Sequence, residues 1–391
     1  MERSKVHSWQ PGACFVVTHS IPGDTTPFHR SLILSMKRFA LISFVLLGAV
    51  LLSACSASAQ SVSWPGLSAD ANNAYLAKGQ FVYAVRLSDG AKVWQYPASG
   101  GSQIFDANPV LTPDGQLLVA SAGSDNGLYS LDPATGKDKW AVPFTAPDRW
   151  VTSPAVLQDT IYAPNNNGTL YALKLATGEK LWSVALGREL WGTPTTDGKL
   201  IFVPSLDHFL YAVDPQAQKV AWKVDLGGAA AGSPVVSADG KSVYIGSSAK
   251  KLFAIDTTNG SIQWTANTAD WVWNAPAISG DTLFASDISG NVYSIGAVNG
   301  KNAWPVVQPD GPITGSPLAI QNGVVVATES GFVYAFDQHG APLWNVSVGG
   351  NIYTTPIASG NLILVAPLNA DFMLAGVSND GKQILWKFTG K

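Results

Sequence analysis

The chain has 391 residues, of which 46% are hydrophobic and 13% charged, and its formal net charge is −3. Soluble domains commonly carry about 25% charged residues, and nucleic-acid binding depends on Lys and Arg side chains that neutralise phosphates, so this composition excludes a basic nucleic-acid-binding protein. Both cysteines, Cys14 and Cys55, precede the repeats described below, which excludes a disulfide or a thiol nucleophile within the repeats.

The N-terminal segment has the features of a bacterial lipoprotein signal. Lys37 and Arg38 precede an apolar run, Phe39–Ala54, which is shorter than the about 18–20 residues of a membrane-spanning helix. Cys55 follows the run directly, and Leu52-Ser53-Ala54-Cys55 resembles a lipobox whose cysteine is acylated and becomes the mature N-terminus. We therefore predict a lipoprotein signal at residues 36–55 and lipid modification at Cys55. The alternative is a plain signal or an uncleaved anchor.

Two further segments flank this signal. Residues 1–35 show no amphipathic pattern, so we expect Met36 to be the initiator and residues 1–35 to be a mis-assigned or unstructured leader. Residues 56–63, SASAQSVS, are small and polar and predict a flexible tether. One domain is then expected over residues 64–391.

A repeat of 40 to 46 residues occupies that domain. Each copy ends in a tryptophan after an alternating aromatic and β-branched run, a Gly-containing turn and a second run, which is typical of a β-hairpin. The eight registered residues are Trp94, Trp140, Trp182, Trp222, Trp264, Trp304, Trp344 and Trp386.

A second pair of strands precedes each hairpin. Seven copies begin with a residue followed by proline, as in Ser153-Pro154 and Ser233-Pro234, and a turn and another apolar run follow. Four strands in about forty residues match one propeller blade. The sequence therefore predicts an all-β fold, an eight-bladed β-propeller of four-stranded antiparallel blades.

The phrase Ser130-x-Asp132-x-x-Thr135-Gly136-Lys137-x-x-Trp140 resembles the tryptophan-docking repeat of the PQQ (quinoprotein-type) β-propellers. The resemblance implies that the eight registered tryptophans dock between blades. With eight copies, a lipobox and no added domain, the chain resembles the BamB family, lipoprotein subunits of the outer-membrane β-barrel assembly machinery. It implies a non-catalytic scaffold with no cofactor and a monomeric body. We therefore expect the protein to be held through a lipidated Cys55 on the periplasmic side of an outer membrane, or on the cell surface if there is one membrane.

Aromatic residues outside the repeat register indicate a binding site. They recur in the connection between the last strand of one blade and the first strand of the next, where propeller connections converge on one mouth of the channel. Aromatic residues with a few arginines are typical of protein-recognition hot spots. The alternative is that these rings only pack the mouth. The candidate partner-binding residues are Phe105, Arg149, Trp150, Arg188, Trp191, Trp271, Trp273 and Tyr353.

Enzymatic functions find little support in the sequence. The repeats contain two histidines, His208 and His339, both predicted in turns of different blades, which disfavours a zinc or copper cluster or a Ser-His-Asp arrangement. PQQ-dependent oxidation is the main alternative. It is disfavoured because the vicinal cysteine pair of many such enzymes is missing. A propeller that binds or senses a small ligand is a further alternative. The favoured function is binding of an envelope or membrane protein, such as a barrel-assembly protein if the cell has two membranes.

Overall fold

The computed structural model describes residues 64–391, which form a closed ring of eight antiparallel sheets. Each sheet uses consecutive strands, so each blade is one continuous stretch of chain. The predicted lipobox, signal and tether lie outside the described residues. No helix long and apolar enough to cross a membrane occurs in residues 64–391.

The first four blades each contain four strands, ordered from the channel outwards. Blade 1 comprises β1 (Gly66–Ala69), β2 (Asn73–Lys78), β3 (Phe81–Arg86) and β4 (Lys92–Tyr96), and blade 2 comprises β5 (Val110–Leu111), β6 (Leu117–Ala120), β7 (Gly127–Leu131) and β8 (Phe144–Thr145). Blade 3 comprises β9 (Ala155–Leu157), β10 (Thr160–Pro164), β11 (Thr169–Lys174) and β12 (Lys180–Ala185), and blade 4 comprises β13 (Thr195–Thr196), β14 (Ile201–Pro204), β15 (Phe209–Asp214) and β16 (Lys219–Asp225).

The other four blades complete the ring. Blade 5 comprises β17 (Val235–Val236), β18 (Ser242–Ser247), β19 (Lys251–Asp256) and β20 (Ile262–Asn267), and blade 6 comprises β21 (Ala277–Ser279), β22 (Thr282–Ser286) and β23 (Val292–Gly296). Blade 7 comprises β24 (Leu318–Ile320), β25 (Gly323–Ala327), β26 (Phe332–Asp337) and β27 (Pro342–Ser347), and blade 8 comprises β28 (Ile357–Ser359), β29 (Leu362–Val365), β30 (Leu374–Ser378) and β31 (Ile384–Phe388).

Blade 6 departs locally from the four-stranded expectation. Its outer segment pairs with β23 only through isolated bridges, Val292 to Val307 and Ile295 to Asn302. Pro305 directly follows the registered Trp304, and a proline has no N–H to donate to a strand ladder. The outer strand is therefore interrupted, while the other three strands keep their antiparallel pairing.

The core lies between blades rather than in one centre. Within residues 64–391 each of eight buried hydrophobic clusters joins two neighbouring blades. One of them joins blade 1 to blade 8, where Leu67 and Leu374 are both buried. The Trp386 indole N–H donates to the Leu87 carbonyl at 2.7 Å across the same interface. Apolar burial and a hydrogen bond thus close the ring.

Five of the eight registered tryptophans donate their indole N–H to a carbonyl of a neighbouring blade: Trp94, Trp140, Trp222, Trp264 and Trp386. The Trp140 indole N–H donates to the Leu175 carbonyl of the next blade at 3.0 Å, and its ring lies against Gly178 in the next blade's turn. A Cβ at Gly178 would lie 2.6 Å from that ring, and its φ is +73°. Glycine is therefore required at this turn for two reasons: the backbone has a positive φ, and the indole occupies the space that a Cβ would need.

Carboxylates at the ends of the third strands hold the hairpin turns. Asp132 Oδ1 accepts hydrogen bonds from the backbone N–H groups of Ala134 and Thr135. Asp337 Oδ1 accepts from His339 and Ala341, and these backbone donors lower the pKa of the Asp337 carboxyl. Such side-chain to backbone bonds are the structural role expected of Asp in a turn.

Candidate functional site at the channel mouth

The eight connections that lead into the innermost strands line one cavity of about 200 Å³ on the ring axis. Each connection lies beside the turn between the second and third strands of its blade, as shown by the Leu206 N–H, which donates to the Glu189 carbonyl at 3.0 Å. These connections and turns together form one face of the ring, which we call the channel mouth.

The residue before the proline links one blade to the next around this mouth. The Thr193 N–H donates to Ser233 Oγ at 2.9 Å, the Ala275 N–H donates to Ser316 Oγ at 3.1 Å, and the Ser316 N–H donates to Thr355 Oγ1 at 3.0 Å. This role was not predicted from the sequence. A usable signal was present, because small polar residues recur before the proline. The seven residues at that position are Asn108, Ser153, Thr193, Ser233, Ala275, Ser316 and Thr355.

Five aromatic side chains surround the mouth, and we call them the aromatic rim: Trp64, Trp191, Trp271, Trp273 and Tyr353. Trp64 stacks on Tyr353 with ring centroids 5.5 Å apart and planes within 2°. Trp273 meets Trp191 edge to face at 6.1 Å and stacks with Trp271 at 6.4 Å. The side chains of Trp64, Trp271 and Trp191 are 43%, 42% and 37% exposed. Trp64 was not among the predicted candidates.

Exposed indoles of this kind are unusual for a core role. Trp150, which packs between blades, is 1% exposed, whereas Trp64, Trp191 and Trp271 each keep more than a third of their surface in solvent. The Trp191 indole N–H donates to Asn166 Oδ1 at 3.0 Å, which holds that ring in place while part of it stays exposed. The rim therefore presents pre-positioned apolar surface to solvent.

Two of the predicted partner-binding residues do not reach this surface. Phe105 and Trp150 are 0% and 1% exposed and belong to the cores between blades. Both stand four residues before the proline, whereas Trp191, Trp273 and Tyr353 stand three before it. Adjacent residues of an extended segment point to opposite sides, so a shift of one position turns a side chain from the mouth into the core.

The seven blades with the proline motif obey this rule. The residues four before the proline are all buried: Phe105, Trp150, Leu190, Ala230, Val272, Ile313 and Ile352. The residues three before it all line the cavity: Asp106, Val151, Trp191, Ala231, Trp273, Thr314 and Tyr353. We therefore remove Phe105 and Trp150 from the candidate site and add Trp64.

The predicted arginines lie at the edge of the mouth. Arg149 is exposed. Arg188 Nη2 donates to Glu189 Oε1 at 3.4 Å, and Arg188 Nε lies 3.1 Å from Glu189 Oε2 without hydrogen-bond alignment. The Arg188 side chain is 68% exposed, and exposed ion pairs of this kind contribute at most about 1 kcal/mol to stability. Both arginines are therefore free to contact a partner.

The carboxylates near the mouth are engaged structurally. Asp287 is fully buried and accepts hydrogen bonds from the Tyr293 hydroxyl at 2.7 Å and from the Asp270 N–H at 3.0 Å. The pKa of Asp270 is lowered, chiefly because the Ser289 hydroxyl donates to its carboxylate and also because of Lys250, 3.2 Å away. These contacts fix turn conformation and leave neither acid as an evident general base.

The residues at the mouth do not fit a PQQ cofactor. PQQ is a tricyclic quinone with three carboxylates, so it calls for cationic or metal partners. The cavity of about 200 Å³ is smaller than the about 300–1,000 Å³ of pockets for ligands of that size. Asp106 is the one charged residue among the described residues that line it. In residues 64–391 no three His, Cys, Asp or Glu side chains are grouped to hold a metal.

The histidines lie apart from each other. His208 lies in the turn between the second and third strands of blade 4, and His339 lies in the turn between the third and fourth strands of blade 7. The prediction that both lie in turns of different blades is confirmed. The two imidazoles therefore share no site.

Comparison with known proteins identifies relatives of this ring. The family model described as outer membrane protein assembly factor BamB matches residues 124–219, 206–320 and 289–391. The tetrathionate hydrolase of Acidithiobacillus ferrooxidans is 28% identical over 173 residues, which are 38% of this chain and 34% of that protein. The outer membrane protein assembly factor BamB of Burkholderia pseudomallei is 24% identical over 219 residues, 56% of this chain and 45% of that protein.

The matched regions span less than half the length of these two relatives. The crystal structure of BamB from Moraxella catarrhalis superimposes with a TM-score of 0.64 at 18% identity, covering 81% of this chain and 91% of that one. This likeness shows a shared propeller fold.

Proposed function

This chain belongs to the family of the outer membrane protein assembly factor BamB, and from that premise we propose that it is a non-catalytic envelope scaffold whose aromatic rim binds another protein. The observation that carries the proposal is the rim itself, which places Trp64, Trp191, Trp271 and Trp273 partly in solvent around one cavity. Clustered Trp and Tyr residues flanked by Arg dominate the binding energy of many protein interfaces.

The partner that we propose is an envelope or membrane protein. The family name supports a barrel-assembly protein for a cell with two membranes, whereas a surface adhesion or sensing role would apply with one membrane.

We propose attachment through an acylated Cys55, which would hold the ring close to a membrane because more than one acyl chain gives stable anchoring. Cys55→Ser is then expected to move the protein from the membrane to the soluble fraction. Membrane retention of that variant would indicate an uncleaved anchor instead.

Photo-crosslinking in the native cell tests the binding role. A photoreactive residue replaces Trp191 at the rim, and the matched control replaces Ala217, an exposed residue in the turn at the far end of the same blade. One discrete envelope protein captured from position 191 and absent from position 217 supports the scaffold. Equal capture from both positions, or none from either, would contradict a binding role for the rim.

A further inference from the structure

The interface between blades 3 and 4 lacks two contacts that the repeat provides elsewhere. At the other seven interfaces a turn glycine of one blade lies against the registered tryptophan of the preceding blade. Here Gln218 takes the place of that glycine, with a φ of +55° that glycine adopts more readily. Trp182 also has no acceptor for its indole N–H within residues 64–391. Trp304 and Trp344 lack that hydrogen bond as well but keep the glycine contact, so Trp182 alone among the registered tryptophans lacks both.

A cleft of about 450 Å³ lies beside Trp182, which is within the about 300–1,000 Å³ of small-ligand pockets. Its lining comes mostly from the turns between the first and second and between the third and fourth strands, so the cleft lies at the end of the ring opposite the mouth. Gln158 in this lining has a φ of +53°. Residues other than glycine are uncommon in this backbone conformation and cluster at functional positions.

The interface between blades 5 and 6 shows what the missing contacts do elsewhere. It has a cleft of about 500 Å³ in the equivalent position, and the rings of Tyr244 and Trp264 lie with their centroids 5.9 Å apart. The Trp264 N–H and the Tyr244 hydroxyl both donate to the Ala297 carbonyl, at 2.9 Å and 3.2 Å. Two donors of blade 5 therefore converge on one backbone carbonyl of blade 6.

The equivalent pair of donors has no such carbonyl between blades 3 and 4. The rings of Tyr162 and Trp182 lie with their centroids 6.0 Å apart, and Pro215 occupies the repeat position of Ala297. Tyr162, Trp182 and Pro215 all line the cleft, yet within residues 64–391 neither donor reaches the Pro215 carbonyl. Neither donor atom is sealed inside the protein. Burial raises the pKa of the Tyr162 hydroxyl, and Thr160 lowers it by donating to that oxygen, so the Tyr162 proton stays available.

The rest of the lining is polar and carries no net charge. Lys199 and Asp214 contribute one charge of each sign, and Gln158, Thr160 and Gln216 contribute neutral polar groups. An apolar ligand would leave these groups and the two donors unmatched, and a highly charged ligand would meet a like charge. A neutral molecule with several hydroxyl or amide groups and one apolar face matches both the polar side chains and the indole.

We propose that this cleft binds an N-acetylated sugar. Its acetamide oxygen accepts hydrogen bonds from the Trp182 N–H and the Tyr162 hydroxyl, as the Ala297 carbonyl does from the equivalent pair between blades 5 and 6. The sugar ring packs a C–H face on aromatic surface, and its hydroxyls meet the amide side chains of Gln158 and Gln216. A peptide also carries amide carbonyls, but extended peptides bind along a strand edge or in a long groove, and this cleft spans one blade interface. The inference goes beyond the proposed function, since it concerns the end of the ring opposite the rim.

Fluorine NMR of the purified protein labelled with 5-fluorotryptophan tests the site. The resonances of Trp182 and Trp264 are assigned through Trp182→Phe and Trp264→Phe. The probes are N-acetylglucosamine, glucose, which lacks the acetamide, and N-acetylglycinamide, which lacks the sugar. We expect a saturable shift of the Trp182 resonance with N-acetylglucosamine, with a Kd on the order of 1 mM as suits so small a ligand, and no shift of the Trp264 resonance. Glucose and N-acetylglycinamide should each bind at least about threefold more weakly.

Three variants test the donors and the cleft, with affinity measured by saturation-transfer NMR of the acetyl methyl group. Tyr162→Phe should weaken N-acetylglucosamine binding about threefold to tenfold, as the loss of one hydrogen bond implies. Tyr244→Phe is the matched control, because the Tyr244 hydroxyl already donates to Ala297, and it should leave binding unchanged. Gln218→Gly restores the glycine of the repeat, so Trp182 should dock on blade 4 and binding should fall at least about tenfold. The thermal midpoint of that variant should not fall, because glycine accepts the positive φ.

The outcomes decide between the sugar site and its alternatives. No saturable shift at Trp182, an equal shift at Trp264, or unchanged affinity in both Tyr162→Phe and Gln218→Gly would overturn the proposal. N-acetylglycinamide that binds as tightly as N-acetylglucosamine would also overturn it and would assign the cleft to a peptide. The proposed function is judged separately, because crosslinking from position 191 probes the other end of the ring and should give the same capture in Gln218→Gly.

Discussion

Replacing the docking residue Trp140 by alanine should destabilise the ring strongly. The Trp140 side chain is 5% exposed, its N–H donates to the Leu175 carbonyl at 3.0 Å, and its ring covers Gly178 of the next blade. Truncation of such a buried indole costs about 3–5 kcal/mol of unfolding free energy. At about 2–4 °C per kcal/mol for a large domain, the thermal midpoint should fall by about 6–20 °C.

Trp182 provides the matched control within the same ring. It is half-buried, and within residues 64–391 its indole N–H has no hydrogen-bond partner. The turn of the next blade carries Gln218 in place of the usual glycine and leaves a cleft of about 450 Å³ beside the indole. Trp182→Ala should therefore lower the midpoint by less than half as much as Trp140→Ala.

Differential scanning calorimetry of the two variants and the parent checks the comparison. A scan-rate series is needed, because a ring of repeats does not always unfold in one reversible step. Equal losses for the two variants would show that the hydrogen bond and the glycine contact add nothing to docking. That result would refute the account of the blade interface given above.

Three further predictions concern the turns, the pH dependence and the rim. Gly178→Ala should lower the thermal midpoint more than Gly198→Ala, because both have positive φ but a Cβ clashes with Trp140 only at Gly178 and meets open space at Gly198; equal losses would leave backbone strain as the whole effect. Burial, and then the hydrogen bond to Asp125, raises the pKa of Tyr129 to about 12. The unfolded chain releases this proton near pH 10, so stability from this group is present below pH 10 and lost as pH rises towards about 12. Tyr129→Phe should then flatten the fall of urea-unfolding free energy across that window, and an unchanged slope would contradict the assignment. Trp191→Ala combined with Trp273→Ala should keep the midpoint within about 4 °C while abolishing partner capture, whereas a large loss of stability would show that these rings are core.

Much of the fold could be predicted because it depends on local patterns. The turn residues Asp132 and Asp337 follow from turn chemistry, which acts within a few residues, and the position of the registered tryptophans between blades follows from the resemblance to the PQQ-type repeat. The interruption of the outer strand of blade 6 could also be predicted from Pro305, because proline has no N–H for the strand ladder. The repeat thus determines blade number and strand order without any knowledge of distant contacts.

The candidate site was predicted only in part, because it depends on one residue of register. Trp191, Trp271, Trp273 and Tyr353 do come together at the mouth. Phe105 and Trp150 lie in the corresponding connections of other blades, one position earlier relative to the proline than Trp191, Trp273 and Tyr353. Which of two adjacent side chains faces the channel is determined by how the connections pack in the assembled ring, where the residue four before the proline is buried between blades.

The repeats of this one chain also show which positions the fold requires. Four residues before the proline every side chain is apolar and buried, so blade packing demands that character there. At the position three residues before the proline, the side chains differ widely, from Ala231 and Thr314 to Asp106 and Trp273. The blades fold with each of them. Packing therefore places little constraint on this second position. Aromatic rings that occupy it while still meeting solvent are not needed to build a blade, which is the physical reason for seeking the function of this protein at the rim.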